Sequence, residues 1–201
     1  MSTSRARPTR EETRARIFEA AAGVFAEHGV PGATIEQIAS AAGFTRGAFY
    51  SNFSRKDELA VAMLEDHLAR SSHHNRALVE AHDDPASFVQ ALRADEGRED
   101  DPLHRNPLLQ VELMLYVART PELRPELGRH LTTMRQLVGE IAASTVAAAR
   151  PGLELDPVRL GTALVAIEDG LRLHRLIDPD TTPEDAFLET LDWLRAVVTT
   201  T

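Results

Sequence analysis

Between residues 34 and 56 the chain reads TIEQIASAAGFTRGAFYSNFSRK, a stretch rich in side chains that can meet phosphates and base edges. Arg46, Tyr50, Ser51 and Asn52 carry hydrogen-bond donors, while Gly47 and Ala48 are small enough to let another backbone come close. Lys56 is the only lysine in the chain. It falls in the first turn of a helix, where the macrodipole disfavours a cation, so it makes sense beside an anion such as a DNA phosphate.

Two short helices must hold these groups. Thr34 with Gln37 three residues on is a capping box, which starts a helix at Thr34. Ile35, Ile38, Ala39 and Ala42 then form one apolar face, and Gly43 follows as the residue best able to adopt a left-handed C′ conformation. Thr45 caps a second short helix, whose Phe49 and Phe53 turn back onto the first. Two short helices across a glycine turn form a helix-turn-helix, the second helix being the one that enters a major groove. Ser54 with Asp57 at the third position is expected to cap the helix that follows.

The run from Thr13 to Leu64 resembles the DNA-binding domain of the TetR family of transcriptional repressors. The matching residues are Ala21 to Gly29 (AAGVFAEHG), Thr34, Ile38, Ala39, Ala42, Gly43, Phe44, Gly47, Phe49, Tyr50, Asn52, Phe53, Lys56 and Leu59. The resemblance implies that Thr34, Thr45, Tyr50, Asn52 and Lys56 hold phosphates while Arg46, Gly47, Ala48 and Ser51 face bases. The chain departs from the family at two positions: the family often carries an aromatic or histidine where Ser51 stands, and histidine where Asn52 stands.

A net charge of -9 argues at first against a nucleic-acid partner, but the charge is divided along the chain. Residues 1 to 56 hold eight Lys/Arg against five Glu, net +3, and the remainder holds 14 against 26, net -12, which together restore -9. Positive charge lies where phosphates are expected, ahead of an acidic body that should discourage indiscriminate adhesion to DNA. The absence of cysteine rules out disulfides and thiolate chemistry and fits a reducing cytoplasm. No apolar run approaches a membrane span, and Met1 to Pro8 lacks a signal peptide's apolar segment, so a cytoplasmic location with no membrane partner is expected.

Residues 1–8 are expected to be a flexible arm, a solvated tail unless Arg5 and Arg7 reach a minor groove. Residues 9–54 form the helix-turn-helix domain, opened by the capping box Thr9 and Glu12 with Ile17, Ala21, Val24 and Phe25 inside and an end near Gly29. Residues 55–201 form the helical body. Its helix starts are marked by polar residues before proline, predicted near residues 85, 107, 121 to 125, 157 and 183, with an irregular turn between Pro121 and Pro125.

The helix LLQVELMLYVA is apolar nearly all round, which predicts a central place in the body, with Glu112 and Tyr116 as its notable polar groups. A carboxylate buried there needs either an internal partner or a bound ligand. Met134, Leu137 and Val138 offer an opposing wall, and these five residues are the candidate effector contacts. Leu160, Leu164, Ile167 and Leu171, with Gly161 and Gly170 allowing close approach, and Phe187, Leu191, Leu194 and Val198 make two apolar stripes at the end of the chain. Those stripes either complete the monomer's core or pair with a second copy as a four-helix bundle. The TetR resemblance implies this dimer, and Glu168, Asp169, Arg172, His174 and Arg175 would then set pairing register or reach the pocket.

Metal chemistry finds little support. His67, His73 and His74 lack the i, i+4 histidine pair that shares an ion on one helix and read as exposed helix-face residues, and Asp100, Asp101 and His104 read as a solvated loop. A carboxylate-bridged metal oxidase, the alternative helical-bundle enzyme, needs Glu-x-x-His pairs, and no histidine has glutamate three residues before it. An architectural DNA protein would need a broad basic surface, which the acidic body denies. The expected fold is therefore all-α: an N-terminal three-helix helix-turn-helix domain plus a C-terminal helical ligand-binding and dimerisation domain. The expected protein is a homodimeric regulator, paired through its last two helices, that binds a double-stranded DNA operator and is released by an unidentified small-molecule effector. It has no catalytic residue, metal or cofactor.

Overall fold

The computed structural model describes residues 8–82, 87, 90–92 and 100–200, the last three of these by backbone alone. Among the described residues every regular element is helical. In chain order these are α1 (Arg10–Gly32), α2 (Ile35–Ala41), α3 (Arg46–Tyr50), α4 (Lys56–Ala81), α5 (Pro102–Arg105) and α6 (Pro107–Arg119). A 3-10 turn (Pro121–Leu123) then leads to α7 (Arg124–Ala149), α8 (Pro157–Ile177) and α9 (Ala186–Thr200).

Local signals fix several of the helix starts. The Thr9 and Thr34 capping boxes both close reciprocally, Asn106 and Asp156 cap α6 and α8 with proline in the first turn, and the turn at Pro121 is tight before α7 begins at Arg124. Three expectations shift. Gly29, at φ 68°, breaks α1 as expected, yet the backbone resumes a helical course to Gly32 instead of opening into a turn. The last helix begins at Ala186 and not at Pro183, whose carbonyl accepts the Ala186 amide at 3.2 Å. Ser54 does not cap with Asp57: its amide and hydroxyl both donate to Glu58, at 2.7 and 2.6 Å, because Glu58 reaches the same groups from one residue further along. That bond holds the Glu58 carboxyl below its ordinary pKa. The expected arm and the start near residue 85 lie outside the described residues, as does the Val198 side chain.

The chain forms two compact units, Met1–Leu64 with Pro102–Arg124, and Glu65–Asp101 with Pro125–Thr201, a division that cuts across a single break at residue 55. In the first unit α1 packs on α2, α5 and α6. Its core includes Ile17 and Phe25 from α1, Ile38 from α2, Phe49 from α3, and Leu109 and Leu113 from α6. Arg105 of α5 adds an ion pair to Glu19 of α1 at 2.5 Å. Helix α6 therefore belongs with the N-terminal helices and not at the centre of the body, with Leu108 and Leu115 exposed. Its all-round apolarity could say that it had neighbours but not which ones.

In the second unit the backbones of α7 and α8 meet at two glycines. A Cβ on Gly139 would overlap the Pro157 carbonyl, and one on Gly161 would overlap the Arg135 carbonyl. Gly161 thus serves a crossing inside the chain, while a Cβ on Gly170 meets nothing within 4 Å. His67 is not a helix-face histidine in solvent. It is 4% exposed, and its Nδ1 lies 2.6 Å from Asp101, itself 2% exposed. Asp100 pairs with Arg70 at 2.7 Å, so the charged loop supplies internal partners. No cluster of metal-binding side chains occurs among the described residues.

Candidate nucleic-acid interface

The helix-turn-helix is built from α2 and α3, and its turn is held from outside. At the end of α2, Gly43 takes φ 70°, its amide bonds Ser40 at 3.0 Å, and Phe44 bonds Ala39 at 2.8 Å. This is the Schellman arrangement, which satisfies the last carbonyls of a helix. Arg16 of α1 completes it by donating to the Ala42 carbonyl at 2.8 Å and lying 4.4 Å over the Phe44 ring. A Cβ at position 43 would crowd the Arg16 guanidinium as well as strain the backbone.

Helix α3 has only five residues, too few to persist alone, so its orientation comes from packing. Thr45 caps it by accepting the Ala48 amide. Phe49 and Phe53 are buried, 5.8 Å apart, and Phe53 stacks on toward Phe18 and the Arg14 guanidinium of α1. With Phe49 turned inward, Arg46, Gly47, Tyr50 and Ser51 are exposed and Ala48 is half-buried. Gly47 has no internal reason to be glycine: a Cβ there would meet only Thr45 Oγ1, at an ordinary 3.7 Å. Helical glycine costs about 1 kcal/mol relative to alanine, so a small surface for an outside partner is its available rationale.

The remaining expected contacts differ in how free they are. Tyr50 is 46% exposed, and its hydroxyl accepts a long bond from Arg46 at 3.4 Å, which leaves its own proton free to donate. Arg46 forms an ion pair with Glu36 at 2.8 Å. The Tyr50 hydroxyl first, and Glu36 second, favour its charged form. Ser51 donates to the Gly47 carbonyl and Asn52 to the Ala48 carbonyl, both one turn back. Thr34 gives its hydroxyl proton to Gln37.

Lys56 is anchored within its own unit. Its ammonium donates to the carbonyls of Pro31 and Ala33, at 2.9 and 2.7 Å, where α1 ends and the chain turns into α2. The negative end of α1 thus meets part of the need of this cation. Desolvation lowers the Lys56 pKa, and the adjacent Asp57 opposes the shift. An ammonium has three donors, so one remains for a phosphate.

Asp57, next in sequence, accepts the Tyr116 hydroxyl at 2.5 Å. Tyr116, named above as an effector contact, therefore has its hydroxyl engaged at the start of α4, while Glu112 is half-buried in the same unit. Desolvation, then the bond to Asp57, pushes the Tyr116 phenol up to about 12 from 10.0. Because the folded value is the higher one, this contribution is full below pH 10 and fades as pH rises toward 12. Tyr116→Phe should cost about 1 kcal/mol at neutral pH and flatten the loss of stability across that alkaline window, as urea unfolding at successive pH values would measure.

Sequence comparison gives this geometry a family. Residues 17–63 match the family model described as bacterial regulatory proteins, tetR family, and residues 83–199 match the Tetracyclin repressor-like C-terminal domain. The chain belongs to the TetR family. The HTH-type transcriptional regulator TtgR of Pseudomonas putida is 36% identical over 194 aligned positions, covering 85% of this chain and 83% of the relative. Among solved structures, a TetR-family transcriptional regulator from Rhodococcus sp. has a TM-score of 0.72 at 23% identity, covering 90% of this chain and 97% of that one. The multidrug binding protein EbrR, solved with imidazole, has a TM-score of 0.56 at 27% identity, covering 94% of this chain and 96% of that one. This TetR-family chain is accordingly a helix-turn-helix transcriptional regulator and not an enzyme.

Sequence reasoning missed Arg16, Glu36 and Glu58. Arg16 and Glu36 act on groups of another element, outside the local pattern that the caps and stripes report, and only Ser54–Glu58, four apart, lay within reach of a local reading.

Proposed function

We propose that this TetR-family protein is a repressor that grips a near-palindromic DNA operator as a homodimer and is released by a small molecule. The observation that carries the reading is α3: its one large apolar side chain is buried, while Arg46, Gly47, Tyr50 and Ser51 face outward with Thr45 at its start. Arg46, Gly47, Ala48 and Ser51 face bases, and Thr45 and Tyr50 hold phosphates. Thr34, Ser51 and Asn52 have internal bonds already and contribute less, and Lys56 contributes with its remaining donor.

Pairing through α8 and α9 is supported by their exposed apolar side chains. Ile177 is 77% exposed and Trp193 64%, with Leu173, Leu176 and Val197 also open to solvent. These exposed residues lie beside the expected stripes, of which Leu164 is buried and Leu160, Ile167, Leu171, Phe187, Leu191 and Leu194 are half-buried within the chain, and large apolar side chains left open on two helices suit a surface that a second copy covers. A dimer also carries two recognition helices, as two half-sites about 34 to 36 Å apart require. Effector binding rests on the likeness to EbrR, with Met134, Leu137 and Val138, half-buried on α7, as candidate contacts. A cytoplasmic setting suits a DNA-binding regulator, and no described helix is long and apolar enough to cross a membrane.

Arg46→Ala tests the assignment of the reading helix. If Arg46 pairs with guanine, the variant should lose about 1 to 3 kcal/mol of affinity for operator while its affinity for random DNA changes far less. Titrations of both DNAs at one salt concentration would measure this, and equal losses would remove Arg46 from the base-reading set.

A further inference from the structure

We propose that Glu36 is a specificity-determining residue that acts through Arg46, holding the guanidinium as a fixed fork and keeping it from seizing phosphates at random. The inference rests on the reading that α3 enters a major groove and that Arg46 faces base edges. Glu36 lies in the first turn of α2 and Arg46 opens α3, so their 2.8 Å ion pair spans the two helices of the helix-turn-helix. The second amino group of the same guanidinium reaches the Tyr50 hydroxyl at 3.4 Å, and its carbon lies 5.8 Å from the Tyr50 ring centroid. Arg46 is thus tethered on two sides. Arginine has five N–H donors in a planar fork, so the Glu36 ion pair, with the weaker Tyr50 bond beside it, favours one orientation of the plane and leaves donors for a base.

The charge pattern points the same way. Glu36 is the single acidic residue from Thr34 to Lys56, and its side chain is 54% exposed. A carboxylate on a face that meets a polyanion repels every DNA alike, so it lowers affinity without regard to sequence. Exposed ion pairs contribute little to folding. The α2 macrodipole also favours a carboxylate in the first turn, but at an exposed site that contribution is small and screened by salt, so the larger consequence of Glu36 is as a positioning residue: it weakens adhesion to any backbone, while the fork that it orients still gains at the matching base.

The test uses the full-length protein and the site that the wild type selects from random DNA. Relative to wild type, E36Q should bind random DNA more tightly, and its operator-to-random affinity ratio should fall about tenfold, the order of discrimination that one bidentate arginine supplies. Sites reselected with E36Q should lose preference at the base position that R46A also loses, while its thermal midpoint matches wild type. In an R46A background, E36Q should leave the ratio unchanged. An unchanged ratio and site for E36Q alone would overturn the inference, as would an equal drop in the R46A background, since Glu36 would then act independently of Arg46. Failure of the underlying reading looks different: wild type would select no site, or R46A would leave the ratio intact.

Discussion

Gly161→Ala should destabilise the second unit by about 3 kcal/mol or more, although alanine is ordinarily the better helix former. The added methyl would overlap the Arg135 carbonyl and lie 2.8 Å from the Gly139 amide, both of them backbone. A side-chain tip could move aside, but here two helices must separate, and packed interiors have no slack for that. Gly128→Ala is the control. It lies in α7, a Cβ there meets nothing within 4 Å, and the substitution should be neutral or stabilising by up to about 1 kcal/mol. Urea unfolding of both variants checks the pair, and similar midpoints would show that the α7–α8 crossing tolerates a wider spacing.

Lys56→Met should lower stability by about 1 to 2 kcal/mol before any DNA is added, because two charge-assisted bonds to the Pro31 and Ala33 carbonyls disappear while the apolar stem remains. Its effect should be local. The carbonyls that lose their partner flank the capping box at Thr34, so amide exchange should quicken at Ala33 and Ile38, whose protons bond Gly29 and Thr34. Affinity should then fall on operator and random DNA alike. A lysine that touched only phosphate would produce the affinity loss with no change in amide exchange.

Lys56 also illustrates what the sequence made legible. A cation in a first turn calls for acceptors or negative charge nearby. Two of those acceptors are carbonyls at the end of α1, 25 and 23 residues away, which no local pattern reports. Contacts of this kind separate the readable from the hidden throughout the chain. Thr9 with Glu12, Thr34 with Gln37, Gly43, Asn106 and Asp156 act within four residues, and the structure places each at the expected helix end. Arg16 to Ala42, Tyr116 to Asp57 and Arg105 to Glu19 span 26, 59 and 86 residues, and they depend on how the helices dock. Gly139 carried no signal either, since a lone helical glycine reads as a weak point until the helix opposite it is known.

The candidate interface was readable for the same reason. Burial of Phe49 and exposure of Arg46, Gly47 and Tyr50 follow from the four-residue spacing of the two phenylalanines. The hydrogen bonds that restrain Ser51, Asn52 and Thr34 are also short-range, but side-chain type allowed each residue either to bond its own helix or to reach outward.

Selecting the sequences that the purified protein retains from a random duplex pool would show whether α3 reads a symmetric operator. An enriched inverted repeat is expected, with half-site centres about one helical turn, or a multiple of it, apart. Arg46→Ala should erase preference at one symmetric pair of positions if this reading of α3 holds. A pool that emerges unenriched, or a site without two-fold symmetry that Arg46→Ala leaves unchanged, would contradict it.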